Sequence, residues 1–337
     1  EAELAMHLSL ISEEPHVVAR RAKLPVEEVS QRLREMEQKG LIYVEYKAGE
    51  PPRYMATGFV VGFWEYQLNK LEPELVHDVE EYFLTAFQPD LWREAPQIRT
   101  IPVGESIDAQ LPVMDYERAE NLVRAHSKFS VQPCVCRQEK HVIGKGCDKP
   151  LEGCMALGET AEFYIRNGWA RAVNLSEALG ILKQGEAEGL VVQTSNSKDA
   201  MFLCTCCGCC CAVLTSVKRY PKPASIVHSA FRAALDGDAC QGCGTCETRC
   251  PMEAITVYNG RAALDLDRCI GCGLCVTACP SEALSLARKP EAEQRKVPKD
   301  FQETVIHLGQ TRGKLDTPGL IGMVVRSKID RLLAPRP

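Results

Sequence analysis

Apolar residues recur at helical spacing near the N-terminus: Val26, Val29, Leu33 and Met36 share one face of a segment that Pro25 opens and Gly40 stops, which predicts a helix. Shorter helical stretches precede it, over about 2–11 and 16–22, separated by Ser12-Glu13-Glu14-Pro15. The pattern then turns β-rich over 41–46 and 53–57, around Gly49-Glu50-Pro51-Pro52. Two amphipathic helices are expected next, 59–71 and 73–87, carrying Trp64, Tyr66, Tyr82, Phe83 and Phe87 as an ordinary core or a dimer interface. Prolines punctuate 89–112, which reads as a linker. Beyond it, helices are predicted over 116–128, 159–167 and 176–188, the last with Ser176 as N-cap and Gly189 as stop, before a short strand at 190–193. The stretch 289–299 is charged and proline-bounded. The segment 317–333 sets Leu320, Ile321, Val324, Val325, Ile329 and Leu332 against Arg326, Lys328 and Arg331, an amphipathic helix for docking on the protein itself, a partner or a membrane surface.

Composition narrows the class. With 337 residues and 45% hydrophobic content, the chain is long and apolar enough for two or three folded domains. A net charge of −5 supplies no global attraction to nucleic acid or anionic lipid. No apolar run nears the roughly 20 residues needed to span a bilayer, the longest candidate being 320–325. The chain begins at Glu1, and a removed leader is not expected. No Gly-rich dinucleotide fingerprint, P-loop or flavin motif stands out.

The 18 cysteines change the picture most. Cys240, Cys243, Cys246 and Cys250 precede Pro251, and Cys269, Cys272, Cys275 and Cys279 precede Pro280; both sets read C-x2-C-x2-C-x3-C-P. An acidic residue two positions before the first cysteine and the glycines within the motif recur 29 residues on. This spacing suits the thiolate ligands of [4Fe–4S] clusters. A zinc ribbon also uses C-x2-C pairs, but two triple-cysteine runs each closed by Cys-Pro fit it poorly. The segment 238–286 resembles a bacterial dicluster ferredoxin. That resemblance implies one cluster on Cys240, Cys243, Cys246 and Cys279, and a second on Cys269, Cys272, Cys275 and Cys250. Cluster ligation demands reduced thiolates and points to a reducing, anaerobic cytoplasm.

Ten cysteines lie outside this segment: Cys134, Cys136, Cys147, Cys154, Cys204, Cys206, Cys207, Cys209, Cys210 and Cys211. Buried free thiols are the plain alternative. However, Gly144, Gly146 and Gly153 allow close backbone wrapping around an inorganic core, and six thiols in eight residues are hard to bury as spectators. Two cubanes would use about eight cysteines, so one or two further [4Fe–4S] clusters are expected as metal sites here, with two thiols to spare for reversible disulfide chemistry. Arg137 and Lys140 add positive charge nearby.

The N-terminal order of helices and hairpin resembles a winged helix-turn-helix domain. Its third helix mixes Glu27, Glu28, Glu35 and Glu37 with Gln31, Arg32, Arg34 and Lys39, which disfavours DNA binding and favours protein docking or a homodimer. From about residue 10 to 290, through Cys134-Val135-Cys136-Arg137, Gly146-Cys147-Asp148-Lys149-Pro150, Thr194-Ser195-Asn196 and Cys206-Cys207-Gly208-Cys209-Cys210, the chain resembles iron–sulfur proteins of anaerobic bacteria and archaea. These place a cysteine-rich module before a dicluster ferredoxin, often behind a winged helix.

The expected fold class is therefore multidomain α+β. It comprises a winged helix with helical extension (1–88), a linker (89–114), a mostly helical Cys-rich iron–sulfur domain (115–235), a ferredoxin-like dicluster domain (236–288) and a linker with C-terminal helix (289–337). The expected function is electron transfer from a redox protein partner through the ferredoxin clusters to or from the central ones. The alternatives are an oxidoreductase with an incompletely ligated cluster or reactive thiol pair acting on a disulfide or thioester, and a redox-responsive DNA-binding regulator.

Overall fold

The structure is a computed structural model that describes residues 1–47, 49–85 and 95–335. At the N-terminus, helices Ala2–Ala5, Pro15–Ala22 and Val26–Gln38 are followed by an antiparallel hairpin of β1 (Tyr43–Glu45) and β2 (Arg53–Met55). Val18, Val29, Leu33, Met36, Ile42 and Tyr54 form its core. The first helix stops well short of residue 11. The Ser9 hydroxyl accepts from the Ile11 N–H at 3.1 Å, a local side-chain bond that competes with helical pairing.

The stretch 59–71 is not the regular helix its pattern predicts. Val60 and Val61 are extended, at φ −130°, ψ 132° and φ −72°, ψ 127°. Their branched side chains suit that conformation better than a helix. A short 3-10 turn, Glu65–Lys70, follows, and then helix Pro73–Thr85. Trp64 and Tyr66 are buried core residues. Phe87 and the start of the proline-punctuated stretch lie outside the described residues.

The central region departs most from expectation, because it is built on a sheet and is not mostly helical. β3 (Ile98–Ile101), β4 (Phe129–Pro133), β5 (Glu152–Leu157), β6 (Arg171–Val173), β7 (Val191–Ser195) and β8 (Phe202–Cys206) form one antiparallel sheet in the order β3-β7-β8-β5-β4-β6. The segment read as a linker thus supplies edge strand β3. Helices Ala119–Arg124, Val135–Val142, Gly158–Arg166, Leu175–Ala187 and Ala212–Lys218 accompany the sheet. The fourth is capped by Asn174, whose side chain accepts from the Glu177 N–H at 2.9 Å, and not by Ser176. One core joins this region to the N-terminal helices. Phe163, Tyr164 and Trp169 pack with Leu33 and Tyr66, and the Tyr66 and Trp169 rings stack at 4.9 Å.

In the C-terminal part, β9 (Phe231–Leu235) pairs with β12 (Leu284–Arg288), and β10 (Ile255–Tyr258) with β11 (Arg261–Leu264); helices Thr245–Arg249 and Leu274–Thr277 lie between them in sequence. This unit is docked firmly. Ile270 and Leu274 enter the central core, and the Val103 N–H donates to the Cys272 carbonyl at 3.0 Å. Arg288 forks onto buried Glu117 at 2.7 and 3.0 Å.

Two helices close the chain. Phe301–Thr311 is tied to the sheet by Thr304, whose hydroxyl donates to the Asn196 carbonyl at 2.7 Å. Thr317–Leu333 docks on the N-terminal helices through its polar side: Asp330 meets Arg21 at 3.0 Å, and Arg331 donates to the Ser12 carbonyl. Its apolar side faces outward, with Ile321, Val325 and Leu332 exposed. Among the described residues, no helix is long and apolar enough to cross a membrane.

Candidate metal centres

The two ferredoxin-type motifs fold around two recesses. Cys240, Cys243, Cys246 and Cys279 line one of about 310 Å³, and Cys250, Cys269, Cys272 and Cys275 line another of about 370 Å³. Each recess therefore takes three cysteines from one motif and the pre-proline cysteine of the other. Backbone amides already point at the sulfurs: Ala254 N–H at Cys250, Ala233 at Cys269 and Ala262 at Cys240, at 3.3–3.4 Å. Such bonds stabilise thiolate charge and tune a bound cluster. Close approach requires glycine at matching positions. Gly242 (φ +64°) and Gly271 (φ +69°) sit so tightly that a Cβ would lie 2.0 Å from the Gly260 carbonyl oxygen and 2.1 Å from that of Phe231.

The recesses differ in depth. Cys243 is exposed, Cys240 and Cys279 half-buried and Cys246 buried, whereas Cys269, Cys272 and Cys275 are buried and Cys250 half-buried, with Cys272 in the central core. Electrostatics follow the same division. Burial pushes Cys272 well up and Cys275 to about 12, while the Thr245 hydroxyl pulls Cys243 down. One site is thus outer and the other inner.

The ten central cysteines divide into six and four. Sheet register sets up the six. Gln132 on β4 pairs with Cys154 on β5, which pairs with Cys204 on β8, which pairs with Gln193 on β7, giving one row across four strands. Cys206 lies two residues beyond Cys204 on the same face. Cys134 and Cys136 enter from the start of helix Val135–Val142, and Cys211 from the N-cap of Ala212–Lys218. All six line one recess of about 940 Å³.

Their thiols follow one another around this recess as a ring in the order Cys134, Cys136, Cys211, Cys206, Cys204, Cys154, each influenced by its two neighbours. Cys134 lies beside Cys136 and Cys154, and Cys211 beside Cys136 and Cys206. These neighbours pull Cys134 and Cys211 well down. Cys211 also lies 3.9 Å from the Gln193 side-chain oxygen. Among the described residues, no three of the six have sulfurs all within 4.8 Å of one another. The ring therefore surrounds a space and does not converge on a point.

Arg137 stands beside the ring with no exposure to solvent. Its Nη1 donates to the Thr205 carbonyl at 2.9 Å, while Nε and Nη2 have no hydrogen-bond partner. Burial alone would lower its pKa, but Cys134, Cys154, Cys207 and Cys206 outweigh this and raise it. Lys140 turns away, to Glu80 and Glu139. Gln132 and Gln193 carry no motif signal; their place in the cysteine row emerges only with the strand register.

The other four cysteines, Cys147, Cys207, Cys209 and Cys210, bring their sulfurs within 4.8 Å of one another. Cys147 comes from the loop after helix Val135–Val142, and the rest from the turn between β8 and helix Ala212–Lys218. Gly208, inside that turn, abuts Pro251, the residue after Cys250; a Cβ there would lie 2.9 Å from the Pro251 Cβ. The three cysteine groups on the central side of the molecule are thus contiguous.

Comparison with known proteins agrees with this geometry over one segment. A family model described as a 4Fe-4S dicluster domain matches residues 232–280. No curated protein and no solved structure matches the chain. The chain therefore carries a ferredoxin-type 4Fe–4S dicluster domain on the C-terminal side of a sheet-built, cysteine-rich region.

Proposed function

We propose that this is an electron-transfer protein in which electrons enter at the outer ferredoxin recess, cross to the inner one, and reach a polynuclear iron–sulfur centre held by the six-thiol ring. The ligands would be Cys240, Cys243, Cys246 and Cys279 outside, and Cys269, Cys272, Cys275 and Cys250 inside. Buried Arg137 carries the central part of this reading. A guanidinium without solvent or a carboxylate partner is costly unless anions neutralise it, and the acidic groups that act on it among the described residues are thiols. Thiolates bound to iron supply that charge. Six donors around a space exceed the four that a cubane takes, so the ring fits a cluster with additional thiolate ligation or a cubane with a spare thiol pair.

Exposed Cys243 marks where a redox protein partner would dock, and a reducing cytoplasm suits the whole set. The N-terminal helices and hairpin support a winged-helix reading. Glu28 pairs with Arg32 and Glu1 with Lys39, so that surface offers little free positive charge to DNA and is better suited to a protein partner or a homodimer. The outward apolar side of Thr317–Leu333 supports a peripheral contact.

The ring's recess continues to Val60, Trp64 and Phe83, apolar walls that favour a second reading: reduction of a small disulfide or thioester at the central centre.

Iron and acid-labile sulfide per chain, measured on anaerobically purified protein, test the proposal. About twelve or more of each are expected, falling toward about eight in Cys204→Ser with the ferredoxin electron paramagnetic resonance signals intact. About eight in both proteins would leave the ring without iron and overturn the central part.

A further inference from the structure

We propose that Cys147, Cys207, Cys209 and Cys210 hold a single tetrahedral zinc ion, and not a further cubane, as a knot that fixes the dicluster domain to the central sheet. This reading is separate from the ring's function and assigns these four cysteines a different metal.

Spacing carries the argument. Four thiolates at about 2.3 Å from one ion stand about 3.8 Å apart along the edges of the tetrahedron. The Cys147–Cys207 sulfurs are 3.9 Å apart and Cys209–Cys210 3.8 Å. A cubane binds each thiolate to a different iron and so needs a wider set. The same chain shows the contrast: among the described residues, neither the ferredoxin quartets nor the ring brings three sulfurs within 4.8 Å of one another. Four soft donors that close the coordination shell are the donor set of structural zinc.

Location supplies the role. The site joins the loop carrying Cys147 to the turn carrying Cys207–Cys210, and Gly208 of that turn rests on Pro251. Beside it, Arg249 donates to the carbonyls of Glu186 and Ala187 at 2.7 and 2.9 Å, which holds the dicluster domain to the end of helix Leu175–Ala187. A bound ion would make the turn rigid where it meets Pro251, the residue after Cys250.

The test is metal analysis and zinc K-edge X-ray absorption on the full chain purified without oxygen. One zinc per chain is expected, with four sulfur neighbours at about 2.3 Å and no iron shell. Cys209→Ser, at the exposed ligand, should remove the zinc and leave the iron count unchanged. Absence of zinc from the wild-type chain, or loss of iron in the variant, would overturn the proposal. The wild-type spectrum decides even if the variant fails to fold. Failure of the ring's iron assignment is read separately, from the iron count of Cys204→Ser.

Discussion

Arg137 is the residue through which the central chemistry is most directly tested. A fixed positive charge beside a redox centre favours its reduced, more negative state. Arg137→Gln should therefore lower the midpoint potential of the central centre, by roughly 60 mV or more if the charge is worth a tenfold change in a one-electron equilibrium. Potentiometric titration reads this, and the ferredoxin centres should stay within a few millivolts of the wild type. Arg137 was visible in the sequence as a basic residue next to Cys136, but its orphaned donors were not, because they depend on strands far away in the chain.

A second residue gives the molecule a pH dependence. His228 is pushed down to about 3 by burial and by the charges of Arg99 and Arg295, with the Arg295 carbonyl as its 3.2 Å partner. Unfolded, it titrates near 6.5. The folded state thus refuses a proton that the unfolded state accepts, and stability falls as pH drops from about 6.5 toward 3, at up to about 1.4 kcal/mol per unit. Above 6.5 this contribution is fully present. His228→Asn should flatten the difference between denaturation midpoints at pH 7 and pH 5; an unchanged slope would show that another group sets it.

At the scale of elements, the sequence was readable where one face meets solvent and obscure where both are covered. Val26–Gln38 and Thr317–Leu333 have a clear 3.6-residue period, and both form. The central strands lack the alternation that betrays a sheet, because residues of both faces are buried along β3, β4 and β7. Their interior also contains Thr100, Ser130, Gln132 and Gln193, which read as loop chemistry in a linear sequence. Of the metal sites, the ferredoxin motifs announced themselves by local spacing. The division of ten cysteines into ring and quartet did not, since Cys206 and Cys207 are neighbours in sequence but serve different groups.

Thr317–Leu333 shows that amphipathicity predicts an element better than its orientation. Its contact with the N-terminal helices rests on a charge network: Arg21 is held by Glu13 at 2.8 Å and Asp330 at 3.0 Å, with Glu13 fully buried. Removing one member leaves uncompensated charge. Arg21→Ala should cost about 3–5 kcal/mol in chemical denaturation, against less than about 1 kcal/mol for the exposed pair partner Arg32→Ala.

Across the whole molecule, the cysteine sites run from exposed Cys243 in the outer recess, through buried Cys269, Cys272 and Cys275 in the inner one, to the ring at the start of helix Val135–Val142. The dicluster domain is no tethered carrier swinging between partners, because Arg249, Arg268, Arg288 and Val103 fix it at four places. Arg268, for example, reaches the carbonyls of Met252 and Lys218 at 2.9 and 3.2 Å. The proposed partner exchange would then take place at the outer face.

The register of the central sheet also has a consequence for how the protein is made. The ring closes only when β5 and β8 pair, and every strand of that sheet ends before the first cysteine of the dicluster domain. During synthesis the chain can therefore complete this thiol site while the ferredoxin motifs are still emerging. If that site takes up iron as proposed, loading is coupled to its folding. Strand pairing thus sets the order in which the proposed iron site and the dicluster domain take shape.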